Sequence, residues 1–172
     1  EALAWLRTRL PAGGRLIVPL NYGNARYARA VADAGRAALA ERFEPMLEWM
    51  PLAEYNARTA RCGFVVMNHR RQQAMGNLGA ALYRGATVVL RQDSPLFGFF
   101  TDLGVTLRAV EPLESDPALR LQPLSASQRE RNREIIGARY GRERVLAAIR
   151  AIEGFRPGGS AVPAPQNLPN LR

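Results

Sequence analysis

Five short apolar segments alternate with helix-like segments along the chain, and this alternation limits the fold more than any other feature of the sequence. Each apolar segment has the length of a strand, and short loops join it to the helices on either side. Strands that alternate with helices in this way pair in parallel and bury both faces under helices. The sequence therefore predicts an α/β fold with a parallel sheet and helices on both faces. The predicted strands cover residues 15–20, 43–49, 63–68, 87–90 and 105–110.

Local signals set the ends of the predicted helices. Asn24 is a good N-cap for a helix that runs to about residue 41, and Pro51 opens the next helix. Ser125 or Ser127 caps a charged helix that ends at Tyr140. The other predicted helices cover residues 2–10, 76–83 and 141–154, together with a short aromatic helix that starts at residue 95.

Right-handed crossovers bring the loops that follow the strands to one edge of such a sheet. In open parallel sheets, ligands bind at that edge. A functional site is therefore expected among four loops, which cover residues 21–24, 49–51, 68–76 and 91–95.

The composition excludes several classes of protein. The apolar runs are far shorter than the roughly 20 residues that span a bilayer as a helix. Cys62 is the only cysteine, which excludes an internal disulfide framework and a thiolate metal cluster. The sequence has no zinc-ligand spacing, no Walker loop and no Gly-x-Gly-x-x-Gly motif. We expect one domain over residues 1–154 and a disordered tail over residues 155–172, where Pro, Gly, Asn and Ala are frequent.

The loop after the third strand carries the strongest ligand-binding signal. Six polar residues, 68–73, follow the strand directly, and Gly76 and Asn77 then open a helix. The free amides and positive dipole end of a helix start bind anions, and Gly76 lets a ligand approach the backbone. Arg71 can contact a phosphate through two N–H groups, and Gln72 and Gln73 suit sugar hydroxyls. The alternative is a solvated loop with an ordinary helix start.

Five further side chains have two open interpretations each. Tyr22 either touches a phosphate or sugar or packs on its own helix, and Trp49 either lines a base pocket or, as we favour, packs in the core. Asp93 either caps the next helix or binds a ribose or sugar hydroxyl. His69, the only histidine, is expected to be structural rather than a general base. Cys62 is expected to be a small buried apolar side chain.

The net charge is +9, and every basic residue is Arg. The arginine-rich stretch 129–144 is expected to be a solvated helical face with Arg–Glu pairs at helical spacing; contact with anionic lipid or a partner domain is the alternative. Nucleic acid is an unfavoured partner, because aromatic residues and arginines are poorly interleaved.

Residues 15–113 resemble the C-terminal half of the TDP-N-acetylfucosamine:lipid II N-acetylfucosaminyltransferases (4-alpha-L-fucosyltransferases, glycosyltransferase family 56). The resemblance rests on the order and spacing of several short motifs. These are Val18-Pro19-Leu20-Asn21-Tyr22, Arg61-Cys62, Arg71-Gln72-Gln73-x-x-Gly76-x-Leu78, Gly85, and Val89-Leu90-x-x-Asp93-x-Pro95. The chain departs from the pattern at Ala74, where a second glycine is expected, and at Asn77, where a small hydroxyl residue is expected.

The resemblance implies the donor-binding half of a GT-B enzyme, which is a Rossmann-like domain. The expected donor is dTDP-4-acetamido-4,6-dideoxygalactose, and the expected acceptor is a polyprenyl-diphosphate-linked saccharide of enterobacterial common antigen or a similar glycan. No metal or other cofactor is expected. Location is implied at the inner face of the cytoplasmic membrane, as a peripheral protein. The residues carried over as donor-binding are Tyr22, Arg71, Gln72, Gln73, Gly76, Asn77 and Asp93, with Asn68, Arg70 and Trp49 as weaker candidates.

The resemblance also implies that the acceptor domain and the first strand of the donor domain, which would precede the helix at residues 2–10, are absent from this chain. We therefore expect no transfer activity from the chain alone, and the catalytic base remains unassigned. Two alternatives stay open. One is a nonenzymatic remnant of the fold that binds a nucleotide or a partner, and the other is a basic domain that binds RNA or a membrane surface.

Overall fold

A computed structural model describes residues 2–153 of the protein, so the predicted tail over residues 155–172 lies outside the described residues. The fold is α/β, with short parallel sheets flanked by helices, as predicted. The chain divides into two compact units, Glu1–Gly137 and Ala138–Arg172, and the boundary falls within one long helix.

The strands are β1 (Leu16–Pro19), β2 (Phe43–Met46), β3 (Phe64–Met67), β4 (Thr87–Leu90) and β5 (Arg108–Ala109). The helices are α1 (Ala2–Arg9), α2 (Ala25–Leu39), α3 (Leu52–Thr59), α4 (Met75–Tyr83), α5 (Pro95–Asp102), α6 (Glu111–Ser115), α7 (Ala126–Tyr140) and α8 (Arg142–Glu153), and Ala40–Arg42 form a single 3-10 turn. Every predicted strand exists, but β5 is only two residues long and β2 ends three residues before Trp49. Helix α6 was not predicted.

Side-chain caps begin two helices where the sequence predicts them. The Asn24 side chain accepts a hydrogen bond from the backbone N–H of Tyr27 at 3.0 Å and so caps α2. At α7, Ser125 is the cap. Its hydroxyl accepts from the N–H of Gln128 at 3.2 Å, while the Gln128 side chain accepts from the N–H of Ser125 at 3.0 Å. This reciprocal pair is a capping box, and it satisfies two amides at the helix start.

The strands form two separate parallel sheets rather than one. The first has the order β1-β2 and the second the order β3-β4-β5. In the first sheet Leu16 pairs with Phe43, and in the second Phe64 pairs with Thr87. No hydrogen-bonded ladder joins β1 to β3 within residues 2–153. The single sheet predicted from the sequence is therefore interrupted between these two strands.

Alternate side chains of β4 support two cores, one on each face of its sheet. Val88 and Leu90 are fully buried on one face, in a cluster built mainly from α4, α5 and α7. Val89 is fully buried on the other face, where it belongs to a cluster with residues from α1 and α6. This alternation is the strand period of two, and it places helices on both faces of the sheet.

Asn132 fixes α7 to the chain segment that leads into β5. Its side chain is 1% exposed and makes two hydrogen bonds to the backbone of Thr106. Asn132 Oδ1 accepts from the Thr106 N–H at 2.8 Å, and Asn132 Nδ2 donates to the Thr106 carbonyl at 2.9 Å. The Asn132 amide thus pairs with both backbone groups of Thr106.

The second unit is described from Ala138 to Glu153 and consists of the end of α7 and all of α8. Val145, Leu146 and Ile149 on α8 are each partly exposed. The Arg139 guanidinium lies 5.8 Å from the centre of the Tyr140 ring, which is within cation–π range.

Candidate functional site

The loops after β3, β4 and β5 meet at the carboxyl edge of the second sheet, and Arg91 holds them together. Arg91 follows β4 directly, and its side chain is 15% exposed. Its Nη1 atom donates to Asn68 Oδ1, after β3, at 3.0 Å and to Glu114 Oε2, in α6, at 3.1 Å. Its Nη2 atom lies 3.5 Å from Glu111 Oε1. We call Arg91 and its partners the arginine knot.

Asp93 completes the arginine knot by bridging two guanidinium groups. Its Oδ1 atom lies 3.1 Å from Arg91 Nε, and its Oδ2 atom lies 3.1 Å from Arg70 Nε. The N-cap residue of α5 is Ser94, not Asp93. Asp93 therefore joins the β3 and β4 loops, a role that neither sequence interpretation included, and a sugar hydroxyl would compete with two arginines for its oxygens.

The charge of Arg91 is stabilised by these partners. Desolvation by burial acts to lower the pKa of Arg91, but the hydrogen bonds to Asp93 and Glu114 outweigh it and raise the pKa above its ordinary value. The knot is thus a set of charge-assisted hydrogen bonds that orders the carboxyl edge.

Helix α4 begins at this edge with free amides. Its N-cap residue, Ala74, has φ 54° and ψ 35°, which is the left-handed conformation, and offers no side-chain cap. The first hydrogen bond of the helix runs from Leu78 N–H to the Ala74 carbonyl at 3.0 Å. The amides of Met75, Gly76 and Asn77 precede that bond, and within residues 2–153 they have no acceptor. The free N–H groups of such a helix start can bind an anion.

Neighbouring residues add polarity and space to the start of α4. Arg71 is exposed, and among the described residues no carboxylate lies within ion-pair distance of it. A Cβ on Gly76 would meet nothing within 4 Å, so packing does not require a glycine there. The absence of a side chain at Gly76 leaves the first turn open to a ligand.

A cavity of about 1170 Å³ lies between β1 and β3 and reaches the carboxyl edge. Asn68, Gln73 and Asn77 line it there, together with His69 and Ala74. The structure therefore brings three of the predicted binding residues to one cavity mouth. Arg71, Gln72 and Gly76 belong to the same loop and helix start, but they do not line the cavity.

Tyr22 and Trp49 lie on the loops after β1 and β2, and both are exposed to solvent. Their exposed fractions are 81% and 75%. The prediction that Trp49 packs in the core is wrong, because β2 ends at Met46 and leaves the tryptophan in the following loop. Packing of Tyr22 on its own helix is also excluded by its exposure. Neither side chain lines the cavity.

His69 and Cys62 are both only partly buried, so the prediction that Cys62 is a buried side chain is not met in full. His69 Nε2 lies 3.3 Å from Met67 Sδ, and its Nδ1 atom is buried without a hydrogen-bond partner among the described residues. The expected structural role of His69 stays a prediction. Cys62 is half-buried; desolvation first, and the nearby Glu44 carboxylate second, raise the pKa of its thiol.

The arginine-rich helix α7 has the expected pairs at helical spacing. Arg131 lies 3.3 Å from Glu134, and Arg133 forms an ion pair with Glu130. Arg133 also donates to the Tyr83 carbonyl at 3.0 Å, which ties α7 to the end of α4. Protein contacts therefore explain the positions of Arg131 and Arg133, and no bound ligand is needed for them.

Sequence reasoning missed Arg91, Glu111 and Glu114. Arg91 immediately follows an apolar strand, as Asn68 does, and that position was the available signal. The two glutamates lie in α6, which is too short to have a detectable periodicity.

Among residues 2–153, no helix has the length and hydrophobicity needed to cross a membrane, and no group of three His, Cys, Asp or Glu side chains is arranged to hold a metal ion. No protein-family model matches the chain, and no curated protein or solved structure is significantly similar to it.

Proposed function

We propose that the chain is a donor-binding domain of a glycosyltransferase, which binds a nucleoside diphosphate sugar at the carboxyl edge of its sheets. The observation that carries the proposal is the uncapped start of α4 at the cavity mouth, next to the exposed Arg71. By its motifs the chain resembles glycosyltransferase family 56, and we propose a dTDP-activated amino-deoxy sugar as the donor.

The diphosphate is the part of such a donor that suits the start of α4. Three free amides and the positive end of the helix dipole favour a dianion there, and Gly76 leaves room for close approach. Arg71 adds a guanidinium that is not neutralised by a carboxylate within the described residues. In catalysis these groups would stabilise the charge that develops on the departing diphosphate.

The cavity mouth suits the sugar. Gln73, Asn77 and Asn68 each present an amide that can both donate and accept, which matches the hydroxyl and acetamido groups of an amino-deoxy sugar. The Asn68 amide is oriented, because its oxygen accepts from Arg91 and its nitrogen therefore remains available as a donor. Arg91 would thus position one side of the sugar site, through Asn68, without itself touching the sugar.

Titration calorimetry with dTDP, a dTDP-sugar and inorganic diphosphate tests the proposal. We expect the nucleotides to bind more tightly than diphosphate, since the base and ribose add contacts. Arg71→Ala should weaken dTDP binding about 10- to 100-fold, the value of one charge-assisted interaction of about 1.5–3 kcal/mol. Gly76→Val should weaken binding by obstructing the amides, and its Cβ would meet no protein atom within 4 Å.

Arg131→Ala is the matched control, because it removes the same charge from an exposed position on α7. It should bind dTDP within about twofold of the parent, at the level of an unrelated surface charge. Equal affinity for dTDP and diphosphate, or parent-like binding by both site variants, would refute the donor site.

The remaining parts of the proposal concern the whole enzyme. We propose a polyprenyl-diphosphate-linked saccharide as the acceptor, a separate acceptor domain as the source of the base, and a peripheral position on the cytoplasmic membrane. The exposed Tyr22 and Trp49 favour a surface contact of this kind, because amphipathic aromatic side chains suit the headgroup region. The chain alone should show no transfer of sugar to the acceptor.

A further inference from the structure

The cavity of about 1170 Å³ between β1 and β3 extends well beyond the proposed donor site, and we call it the slot. All of its lining residues lie in the first compact unit. Pockets that bind small molecules measure about 300–1,000 Å³, so the slot is large enough to enclose a whole ligand. The donor site uses only the end at the carboxyl edge, where Asn68, Gln73 and Asn77 lie.

The long walls of the slot are apolar. Leu3 and Leu6 of α1 line it, together with Ile17 of β1, Val66 of β3 and Ala80 of α4. These side chains offer water no hydrogen-bond partner, so the walls favour an apolar occupant over water.

Strand β3 shows that the slot leaves apolar surface uncovered. All four of its residues, Phe64–Met67, are only half-buried, whereas all four residues of β4 are buried. Uncovered apolar surface in a concave site is typical of a groove that binds a ligand. A hydrocarbon chain in the slot would remove this surface from water, and the resulting gain is roughly proportional to the area removed.

The mouth of the slot at the amino edge of the second sheet is cationic. Phe64 pairs with Thr87 in the parallel ladder, and Arg61 and Arg84 each stand three residues ahead of that pair. Both arginines therefore lie at the same edge; both line the slot, and both are exposed. Within residues 2–153, no carboxylate lies within ion-pair distance of either guanidinium.

The carboxylate in the wall of the slot does not neutralise this mouth. Glu44 is the only acidic residue among the described lining residues, and it already has two partners. Its carboxylate lies 3.9 Å from Arg15 and 3.4 Å from Arg58. The unpaired positive charge of the slot therefore belongs to Arg61 and Arg84.

The two ends of the slot thus differ in chemistry. One end carries two unpaired guanidinium groups, and the other carries the amide side chains of Asn68, Gln73 and Asn77. A molecule with one anionic end and a long apolar body matches this arrangement in only one orientation, because a carboxylate or phosphate gains charge-assisted hydrogen bonds only at the arginines.

We propose that the slot binds a single-chain anionic lipid, with its headgroup at Arg61 and Arg84 and its hydrocarbon chain between β1 and β3. A long-chain carboxylate and a long-chain phosphate monoester share this chemistry. The headgroup lies at the edge of the sheet opposite to the start of α4, so the lipid site is separate from the proposed donor site and does not depend on it.

Displacement of the fluorescent fatty acid cis-parinaric acid from the 172-residue chain, without nucleotide, tests the proposal. Palmitate should bind at least about 100-fold more tightly than octanoate, since each buried methylene strengthens binding about two- to fourfold. Hexadecanol, which has the same chain length and no charge, should bind about 10-fold more weakly than palmitate. Hexadecyl phosphate carries the alternative headgroup, and the tighter of the two anions identifies the headgroup that the site prefers.

Substitutions at the two ends of the lipid separate the roles of charge and space. Arg61→Glu with Arg84→Glu should weaken palmitate binding about 10-fold or more and leave hexadecanol binding unchanged, and both positions are exposed, so the fold should be unaffected. Arg26→Glu with Arg29→Glu is the matched control, because it reverses two exposed charges on α2 that do not line the slot. This control should bind palmitate within about twofold of the parent.

Ile17→Trp fills the slot from the β1 side and should abolish binding of palmitate and of hexadecanol, whereas Ile17→Val should bind both like the parent; circular dichroism checks that both variants fold. Arg71→Ala should bind palmitate like the parent. Weaker palmitate binding by Arg71→Ala would move the headgroup to the start of α4 and overturn the proposal.

Equal binding of octanoate and palmitate would also overturn it, as would parent-like binding of palmitate by the double glutamate variant or by a folded Ile17→Trp variant. Gel filtration tests a different occupant. A dimer that the Ile17→Trp change dissociates would assign the slot to a second copy of this chain instead of a lipid.

Discussion

Replacing Asn132 tests whether the link between α7 and the β5 segment is a main source of stability. The side chain is 1% exposed and makes both of its hydrogen bonds to the Thr106 backbone, at 2.8 and 2.9 Å. Asn132→Ala removes both bonds and leaves a half-buried N–H and C=O at Thr106 without partners. Hydrogen bonds of this kind contribute about 1 kcal/mol each, and unpaired buried groups cost about 1–3 kcal/mol each.

We discount the second term because Thr106 is only half-buried and water can reach its peptide groups. The expected loss is then about 2–4 kcal/mol of unfolding free energy. For a domain of this size it lowers the midpoint of thermal unfolding by roughly 5–12 °C. Urea unfolding followed by circular dichroism measures the first quantity, and calorimetry measures the second.

Arg131→Ala is the neighbouring control. Arg131 is exposed on the same helix, where its pair with Glu134 is expected to contribute less than about 0.5 kcal/mol. Asn132→Asp gives a directional test, because a carboxylate can still accept from the Thr106 N–H but cannot donate to the carbonyl. Its cost should shrink as the pH falls, since protonation restores a donor. A loss at Asn132→Ala no larger than that at Arg131→Ala would refute this reasoning.

Three further experiments have expected outcomes, two by substitution and one by thiol labelling. Ala74→Gly should stabilise the fold by about 0.5–1 kcal/mol in urea unfolding, because it relieves a left-handed alanine at a cost of some chain entropy; Ala74→Val should destabilise it. Gly35→Ala should cost about 2 kcal/mol or more, because the new methyl group would overlap the Phe43 ring; an unchanged unfolding midpoint would contradict the packing of α2 on β2. Labelling of Cys62 by a thiol reagent should start at higher pH in the folded chain than in the denatured chain, because burial raises its pKa. The folded state then binds the thiol proton more tightly than the unfolded state does. The free energy of unfolding should therefore fall as the pH rises past the ordinary thiol pKa of about 8.5.

The sequence predicts the elements well where local chemistry decides them. Asn24 and Ser125 mark the starts of their helices in the sequence, because an N-cap is a contact between residues three apart. The four buried residues of β4 are recognisable because a central strand needs apolar side chains on both faces. The start of the helix after β3 is also predicted from local sequence, because a polar loop precedes it. The observed helix begins at Met75, one residue before the predicted start.

What the sequence does not predict depends on distant partners. The gap between β1 and β3 is a property of strand order, and nothing in the apolar pattern of β3 distinguishes a half-open strand from a closed one. Arg91 has carboxylate partners about twenty residues further on, in a helix of five residues without a periodic signal. Trp49 is predicted to pack in the core because the apolar pattern extends the second strand to residue 49, three residues beyond the end of β2.

The arginine knot has a consequence for how this edge of the protein can change over evolution or by design. Loops of parallel α/β proteins are usually exchangeable modules, since each is anchored only at its own strand. Here one guanidinium serves the segments after β3, β4 and β5 together, through Asn68, Asp93 and Glu114. A loop transplanted alone would leave behind unmatched charges in the other two. The three segments should therefore change together rather than one at a time. Substitutions that alter ligand specificity at this edge are more easily made at Gln73 and Asn77, which line the cavity but lie outside the arginine knot.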